Sequence, residues 1–404
     1  MVNIPSDLKL RKSYFQKVLP YIGKNIIKVF TGQRRVGKSY FMFEIIEYIT
    51  KNDVNSEIIY INKEDLQFSL IKTHEDLNNY VLKNKTKNKQ TYLFIDEIQD
   101  IENFQIALRS LLLIKDIDIY CTGSNANLLS GDIAGHLSGR FIEINIYSLS
   151  YLEFLDFHDL TNSSNSLDLY LKYGGLPYLK HLALKDDIVF DYLKNIYNTI
   201  AYRDIVNRYA VRNTFFLEQL IQFLASNIGS LFSSKKISDY LKSLQINIPP
   251  NQVQLYISHF ESAFLIHRVK RYDISGKRIF EISDKFYFEN IGIRNGIWGY
   301  RVQDRGKILE NIVFNHLIFC GNEVTVGNIE KYEIDFIAAR NGEKQYFQVA
   351  LSLNNEDTIQ REFGNLKMIS DNFPKTVITM DKFDGNTFDG IKTIDLKSFL
   401  SQKW

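Results

Sequence analysis

The residues best suited to chemistry form one short segment that contains two glycines, a lysine and a serine. Its spacing is G-x-x-x-x-G-K-[ST], in which glycine lets successive backbone N–H groups point inward at phosphate oxygens. Lys38 is suited to place a positive charge at the β- and γ-phosphates, and the Ser39 hydroxyl is suited to bind Mg²⁺. We therefore expect nucleotide binding by Gly32, Gln33, Arg34, Arg35, Val36, Gly37, Lys38, Ser39 and Tyr40.

A pair of acidic residues forms the second motif. The apolar run YLFI at 92–95 is followed directly by Asp96 and Glu97. A phosphate-binding loop needs a metal carboxylate at the end of another buried strand, and Asp96 can hold Mg²⁺ through water. Glu97 can polarise the attacking water as a general base. The alternative interpretation is that the two acids cap a helix at Ile101.

Two further candidates follow the next strands. The sequence TGSN at 122–125 ends one of them, where a polar side chain can reach the γ-phosphate or orient the water. Asn125 and Ser124 are the candidates, and the sequence does not choose between them. Arg140 precedes the following strand, where it can act as an arginine finger on a neighbouring subunit's nucleotide. The alternative is a surface arginine that pairs with Glu143.

The hydrophobic pattern predicts the elements that position these residues. Apolar runs of strand length alternate with helical patterns, and a helix over Ser39–Ile49 follows the glycine-containing turn. Near-continuous hydrophobicity is typical of a parallel sheet covered on both faces. The pattern favours an open, doubly wound α/β domain. Its predicted strands are Asn25–Thr31, Ile58–Asn62, Tyr92–Asp96, Ile117–Gly123 and Phe141–Ile146.

Composition excludes several classes of protein. The 404 residues are 45% hydrophobic and 24% charged, which excludes a disordered chain, a collagen-like fibre and a coiled-coil rod. A net charge of +2 gives no overall field that would steer the chain onto nucleic acid or membrane. Two distant cysteines exclude a disulfide framework and a cysteine zinc site, and no apolar stretch approaches the ~20 residues that span a bilayer. We expect a cytoplasmic protein of two or three domains that does not enter a membrane.

Beyond residue 147 the pattern becomes helical and rich in tyrosine. Three predicted helices (Phe215–Ile228, Lys236–Leu244, Gln252–Phe264) and a hairpin around Gly276 indicate a winged-helix module. The basic residues of this module either contact DNA phosphates or form a solvated wing. They are Lys235, Lys236, Arg268, Lys270, Arg271, Lys277 and Arg278. An α/β pattern then returns, with a helix over Arg305–Leu317 and strands over Glu323–Val326, Ile334–Arg340, Gln345–Leu351 and Thr376–Thr379.

Four segments together resemble prokaryotic AAA+-superfamily ATPases: TGQRRVGKS, LFIDEIQ, TGSNANLLSGDIAGHLSGR and GGLP. They are most similar to the group whose ATPase domain precedes a lid, a winged-helix-like module and an endonuclease-like domain. The resemblance implies binding of ATP and Mg²⁺ by residues 32–39 and Asp96, and hydrolysis through Glu97. It divides the chain into a P-loop ATPase domain (1–147), a helical lid (148–212), a winged-helix-like module (213–284) and an endonuclease-like α/β domain (285–404).

The last domain departs from the endonuclease pattern. In the PD-(D/E)xK core, an acid on one hairpin strand and an E-x-K on the next gather around Mg²⁺, and an upstream helix commonly adds a glutamate. Glu310 and Asp335 match two of these positions, but the E-x-K positions hold Gln348 and Ala350. Glutamine is a poor Mg²⁺ ligand and alanine stabilises no developing charge. We therefore expect a degenerate fold kept for binding or assembly, with active cleavage or an unrelated α/β domain as the alternatives.

These observations lead to one functional hypothesis and one rival. We expect an ATPase in which the nucleotide state repositions the lid and the C-terminal modules, with ATP and ADP as ligands and a homo-oligomer if Arg140 acts across subunits. Arg203 and Arg208 are candidate sensor arginines on the lid, or partners of Asp204. The rival is a nucleotide-gated DNA-binding regulator, or a defence or signalling module, with little turnover.

Overall fold

The chain folds into two compact units. The computed structural model describes residues 2–129, 135, 137, 139–276, 278–354, 356–381 and 387–402. The first unit comprises Met1–Tyr147 and Ser262–Phe264, and the second comprises Ser148–Glu261 and Leu265–Trp404. Each unit is built around a β-sheet of its own.

The first unit contains a five-stranded sheet with the order β2-β3-β4-β1-β5. Every neighbouring pair of strands is parallel. All positions of β1, β3 and β4 are buried, as expected for parallel strands that are covered on both faces. The strands are β1 (Ile27–Thr31), β2 (Glu57–Asn62), β3 (Thr91–Asp96), β4 (Ile117–Gly123) and β5 (Phe141–Asn145).

Helices α1 to α4 of the first unit accompany this sheet. Helix α3 begins with a capping box, in which the Thr73 hydroxyl accepts from the Asp76 N–H and the Asp76 carboxylate accepts from the Thr73 N–H. Its apolar face and that of α4 pack with strands β2 to β4 in one hydrophobic cluster. The helices are α1 (Lys12–Val18), α2 (Lys38–Asn52), α3 (His74–Asn84) and α4 (Phe104–Leu112).

The second unit begins with helices and ends in a mixed α/β arrangement. A π-helix at Ile200–Asn207 continues helix α7 without a break. The helices are α5 (Tyr151–Phe157), α6 (Ser164–Tyr173), α7 (Asp186–Thr199), α8 (Thr214–Ser226), α9 (Ser234–Ser243), α10 (Pro250–Ser262), α11 (Ile291–Trp298), α12 (Arg305–Phe319), α13 (Glu356–Lys367) and α14 (Leu396–Leu400).

An eight-stranded mixed sheet organises the second unit, with the order β12-β13-β11-β10-β9-β8-β6-β7. The hairpin β6–β7 joins this sheet through a parallel pairing of β6 with β8. The sheet therefore continues across the boundary predicted between residues 284 and 285, which falls inside β7. The strands are β6 (Ile266–Asp273), β7 (Arg278–Phe288), β8 (Glu323–Ile329), β9 (Tyr332–Arg340), β10 (Glu343–Ala350), β11 (Lys375–Thr379), β12 (Thr387–Phe388) and β13 (Ile391–Asp395).

Glycines allow close backbone contact between elements of the second unit. The Leu149 N–H donates to the Gly175 carbonyl at 2.7 Å, and a Cβ on Gly175 would lie 2.3 Å from the Leu149 carbonyl oxygen. At the start of α11, a Cβ on Gly292 would lie 1.9 Å from the Tyr173 oxygen. These distances leave no room for a methyl group, so the GGLP segment is needed for packing.

The predicted strands of the first unit and the three central helices are confirmed within a few residues of each end. Helices α1, α11 and α13 were not predicted from the sequence. Within the described residues, no helix has both the length and the apolar character needed to cross a bilayer.

We expect Gly175→Ala to lower the free energy of unfolding by roughly 1–3 kcal/mol, since the methyl group must push apart two backbone segments. The matched control is Gly364→Ala on α13, where nothing lies within 4 Å of the added atom. Alanine should stabilise that helix by about 0.5–1 kcal/mol. Denaturant unfolding of both variants measures the difference, and equal midpoints would contradict the packing role of Gly175.

Candidate functional site

The predicted site residues of the first unit meet at one edge of its sheet. Strands β3, β4 and β1 are neighbours, and all three end at the same edge because they are parallel. The loop at 32–37 follows β1, Asp96 and Glu97 lie at the end of β3, and Ser124 follows β4. Ligands of open α/β sheets bind at the carboxyl ends of the strands, so this edge is the candidate nucleotide site.

Glycine is required at the first position of the loop. Gly32 has φ +147°, and a Cβ there would lie 2.1 Å from the Ile146 carbonyl oxygen. The chain is held this close because the Ile146 N–H donates to the Thr31 carbonyl at 2.7 Å. At the other end of the loop, Gly37 is left-handed (φ 96°) and caps α2 without a side chain, so the first N–H groups of the helix have no side-chain cap. Such a helix start attracts phosphate.

Lys38 lies inside this loop. Its side chain is buried, and its ammonium donates to the carbonyl oxygens of Gly32 at 2.9 Å and Gln33 at 3.0 Å. The lysine thus bridges the start of the loop from the first turn of α2. A phosphate that enters the loop meets a cation that is already in place.

The other loop residues differ in exposure. Gln33 is buried, and its side-chain amide donates to the carbonyl of Phe264, which belongs to the same unit, at 3.0 Å. Arg34 is also buried and pairs with Glu64 at 3.1 Å. Val36 is buried, whereas Arg35 is exposed in a left-handed conformation and Tyr40 is exposed on α2. The sequence predicted all of these for nucleotide binding without distinguishing their environments.

Asp96 accepts hydrogen bonds from three hydroxyl groups. Thr122, Ser39 and Tyr60 donate, the last at 3.2 Å. Burial raises the pKa of Asp96, and the hydrogen bonds from Ser39 and Thr122 partly oppose this shift. The Ser39 hydroxyl and the Asp96 carboxylate are hard oxygen donors side by side, which suits Mg²⁺. These two residues fit the metal site that the sequence predicted.

Glu97 is held as a buried carboxylate beside Asp96. Its backbone is left-handed (φ 57°), its N–H donates to the Thr122 hydroxyl at 2.9 Å, and its carboxylate accepts from Ser124 at 3.0 Å and from Gln99. Burial alone would raise the pKa of Glu97, but the charges of Lys38 and Arg34 and the hydrogen bonds from Gln99 and Ser124 lower it, and the pKa lies below its ordinary value. Glu97 is therefore ionised at neutral pH, as a general base must be.

The structure places the two alternative polar residues differently. Ser124 lies against the Glu97 carboxylate. Asn125 is buried one residue further, and its backbone carbonyl accepts from the Leu128 N–H at 3.1 Å. Ser124 thus contacts the acidic pair, and the catalytic role predicted for Asn125, together with Glu97 and Arg140, stays a prediction.

Arg140 is exposed directly before β5, and its backbone carbonyl accepts from the Ile27 N–H at 2.9 Å. Within the described part of the chain it forms no ion pair with Glu143, whose carboxylate accepts from Thr31 at 2.6 Å. The ion pair between Arg140 and Glu143, which was the alternative interpretation of Arg140, is therefore absent among the described residues.

Two residues of this site were missed by the sequence reasoning. Tyr60 bonds to Asp96 from the neighbouring strand β2, and Thr122 joins Asp96 to the Glu97 backbone. Only the register of β2 with β3, in which Tyr60 pairs with Phe94, places the phenol at this edge. No local spacing in the sequence indicates it.

In the second unit, the arginines predicted as sensors on the lid and the basic residues of the winged-helix-like module lie on different elements. Arg203 is exposed on the π-helix and Asp204 is buried. Arg268 pairs with Glu261 at 2.7 Å, which neutralises part of the predicted basic patch. Lys277 lies outside the described residues. The endonuclease-like candidates Glu310 and Asp335 do come together, around Lys285.

Two family models match the chain. One, described as an AAA domain, matches residues 24–155. The other, a domain of unknown function (DUF8612), matches residues 164–304. The first match covers the parallel sheet and every candidate residue of the nucleotide site.

Two relatives are similar to this chain over most of its length. An uncharacterized protein of Haemophilus influenzae is 36% identical over 400 residues, which is 97% of this chain and 98% of the relative. The uncharacterized protein MJ1544 of Methanocaldococcus jannaschii is 33% identical over 359 residues, 84% of this chain and 77% of the relative.

Solved structures give weaker matches. The Walker-type ATPase PABY2304 of Pyrococcus abyssi covers 71% of this chain and 95% of its own, with 14% identity and a TM-score of 0.49. The structure of the ORC1 protein of Aeropyrum pernix, solved in complex with DNA, covers 73% of this chain and 93% of its own chain. Its sequence identity is 11% and its TM-score is 0.32.

We expect Tyr60→Phe to weaken Mg²⁺-dependent nucleotide binding several-fold, because a neutral hydrogen bond that orients Asp96 contributes about 0.5–1.5 kcal/mol. Binding measured in EDTA should not change. Tyr48→Phe on α2 is the matched control, since its ring packs against Phe15 in the same unit. Titration with a fluorescent nucleotide measures both, and an equal loss with and without Mg²⁺ would contradict this role of Tyr60.

Proposed function

Because this chain belongs to the same family as its Haemophilus influenzae and Methanocaldococcus jannaschii relatives and carries an AAA domain, we propose that it is a Mg²⁺-dependent ATPase that works as a nucleotide-dependent molecular switch. The observation that carries this proposal is the buried Glu97 carboxylate beside Asp96, at the same sheet edge as the Lys38 loop. A binding loop alone needs no second carboxylate.

The residues of the loop would hold the nucleotide. The N–H groups of residues 32–37 and the start of α2 would bind the phosphates, and Lys38 would exchange a loop carbonyl for a phosphate oxygen. Ser39 and Asp96 would hold Mg²⁺, which neutralises charge on the phosphates when it is bound. ATP rather than GTP follows from the resemblance of the motifs.

Glu97 would take the proton of the attacking water. Ser124 and Gln99 both donate to one oxygen of its carboxylate, Oε2, so the two bonds tie the residues after β3 to those after β4 and leave the other oxygen for the water. This supports a switch, in which bound and hydrolysed states hold the residues after β3 and β4 differently.

The second unit would receive the signal. We propose that helices α8 to α10 and the hairpin β6–β7 form a winged-helix-like module, and that the strands beyond it form a degenerate endonuclease-like core. The order of three helices and an antiparallel hairpin supports the first assignment. The antiparallel pair β9–β10, which carries Asp335 and Gln348, supports the second.

DNA is the candidate partner under the rival function, a nucleotide-gated DNA-binding regulator with little turnover. An open groove in the second unit supports it, because its lining includes Asn251, Gln254 and Lys270. Side-chain amides and cations are the groups that contact base edges and phosphates. This rival predicts retention on duplex DNA that depends on ATP and is unaffected by Glu97→Gln.

We expect Glu97→Gln to lower steady-state ATP hydrolysis by roughly 10²- to 10⁴-fold, because the amide cannot accept a proton. Nucleotide affinity should be kept. Lys38→Ala should instead lose affinity by roughly tenfold or more, since a charge-assisted contact is removed. Hydrolysis and equilibrium binding of each variant measure the two effects. Turnover that survives Glu97→Gln would contradict the ATPase proposal.

We expect hydrolysis per chain to rise with protein concentration, and Arg140→Ala to abolish this rise, if Arg140 completes the site of a neighbouring copy. The matched control is Arg109→Ala, another exposed arginine of the same unit. Full activity of Arg140→Ala at every concentration would exclude a role for this residue across subunits.

A further inference from the structure

Four charged side chains converge in the second unit. Lys285 extends from β7, and its ammonium lies 2.8 Å from a carboxylate oxygen of Glu310 and 2.8 Å from one of Glu333. A carboxylate oxygen of Asp335 lies 3.9 Å away. Three acids from helix α12 and strand β9 thus surround one ammonium group, and we call this set the Lys285 cluster.

Burial makes this arrangement obligatory. The side chain of Lys285 is only 3% exposed, and a buried cation without partners would be strongly unfavourable. Burial alone would lower the pKa of Lys285, but Glu310, Asp335 and Glu333 raise it well above its ordinary value. With carboxylate oxygens of Glu310 and Glu333 at 2.8 Å, the buried ammonium has the partners that its burial requires.

Two of the three acids have further hydrogen-bond partners. One oxygen of Asp335 accepts from the Val349 N–H at 2.8 Å, and the Gln348 side-chain oxygen accepts from the Asp335 N–H at 3.1 Å. The Tyr287 hydroxyl donates to the Glu310 oxygen that also binds Lys285. On the other side of Glu310, a Cβ on Gly229 would lie 3.0 Å from its second oxygen, so the backbone closes over it.

We infer that the Lys285 ammonium takes the place of a divalent cation among Glu310, Glu333 and Asp335, so that this cluster is assembled without metal. The resemblance to endonucleases implies Mg²⁺ at Glu310 and Asp335, and the residues present do not fit that ion. A metal needs the carboxylate oxygens that Lys285 already binds at 2.8 Å. In the described residues, no group of three or more His, Cys, Asp or Glu side chains is arranged to hold a metal ion.

The Lys285 cluster then links strands and a helix, as a structural metal ion does in other proteins. Lys285 ties β7, the last strand of the hairpin, to helix α12 and strand β9 through charge. Gln348 contributes by holding the Asp335 backbone, which explains a glutamine where catalysis would require an acid. This inference does not depend on the proposed ATPase function.

The test compares Mn²⁺ binding by two full-length proteins without nucleotide, both carrying Asp96→Asn so that the first unit contributes no metal carboxylate. One has Lys285 and the other Lys285→Met, which keeps the length of the side chain and removes its charge. We expect the parent to bind no Mn²⁺ at the cluster by electron paramagnetic resonance. Lys285→Met should unfold at a lower temperature without metal, bind one additional Mn²⁺ per chain and regain stability with it.

Further substitutions keep the test decisive if Lys285→Met does not fold. Lys285→Met combined with Glu310→Gln removes one charge of each sign, and it should fold without Mn²⁺ and bind none. In the parent, Asp335→Asn should leave Mn²⁺ binding unchanged. A folded Lys285→Met that gains no Mn²⁺, or a parent that binds one Mn²⁺ which Asp335→Asn removes, would overturn the inference.

Discussion

The compensation of buried charge is the constraint on which the rest of this structure depends. At the edge of the first sheet, Asp96 and Glu97 are both nearly inaccessible to water, and Thr122 joins them by bonding to the carboxylate of one and the backbone of the other. Lys38 and Arg34 supply the opposite charge. Because strands β3, β4 and β1 must end together for these contacts to form, the parallel topology and the chemistry impose the same arrangement.

The two units satisfy this constraint in different ways. In the first, the lysine binds backbone carbonyls of its own loop, which can be exchanged for another acceptor at little cost. In the second, the lysine binds the carboxylates of Glu310 and Glu333 directly, and the Glu310 oxygen also accepts from Tyr287. The first lysine can therefore exchange an acceptor for a ligand, whereas the second is held between two acids. The number of acidic residues does not distinguish the two sites. They differ in whether the lysine binds backbone carbonyls, as Lys38 does, or carboxylates, as Lys285 does.

The sequence allowed prediction of whatever rests on local spacing. The strands of the first sheet were predictable because parallel strands are apolar along their whole length, and Gly32, Lys38 and Ser39 because phosphate geometry dictates their separation. Tyr60 and Lys285 were not predictable, since Tyr60 reaches Asp96 through the pairing of β2 with β3, and Lys285 reaches its acids only because the hairpin joins the sheet through β8. Helix α11 was missed because Gly292 and Gly296 weaken its helical pattern, although close packing requires at least the first.

Strand β7 has a consequence for how the second unit can be divided. The strand runs unbroken from Arg278 to Phe288 at the edge of the eight-stranded sheet, and it pairs with β6 along most of its length. A cut at residue 284 would separate Lys285 from the hairpin and leave β6 with unpaired backbone groups. Open strand edges of this kind recruit other chains. The helices of the second unit and its mixed sheet should therefore be inherited, expressed and exchanged together, as one domain.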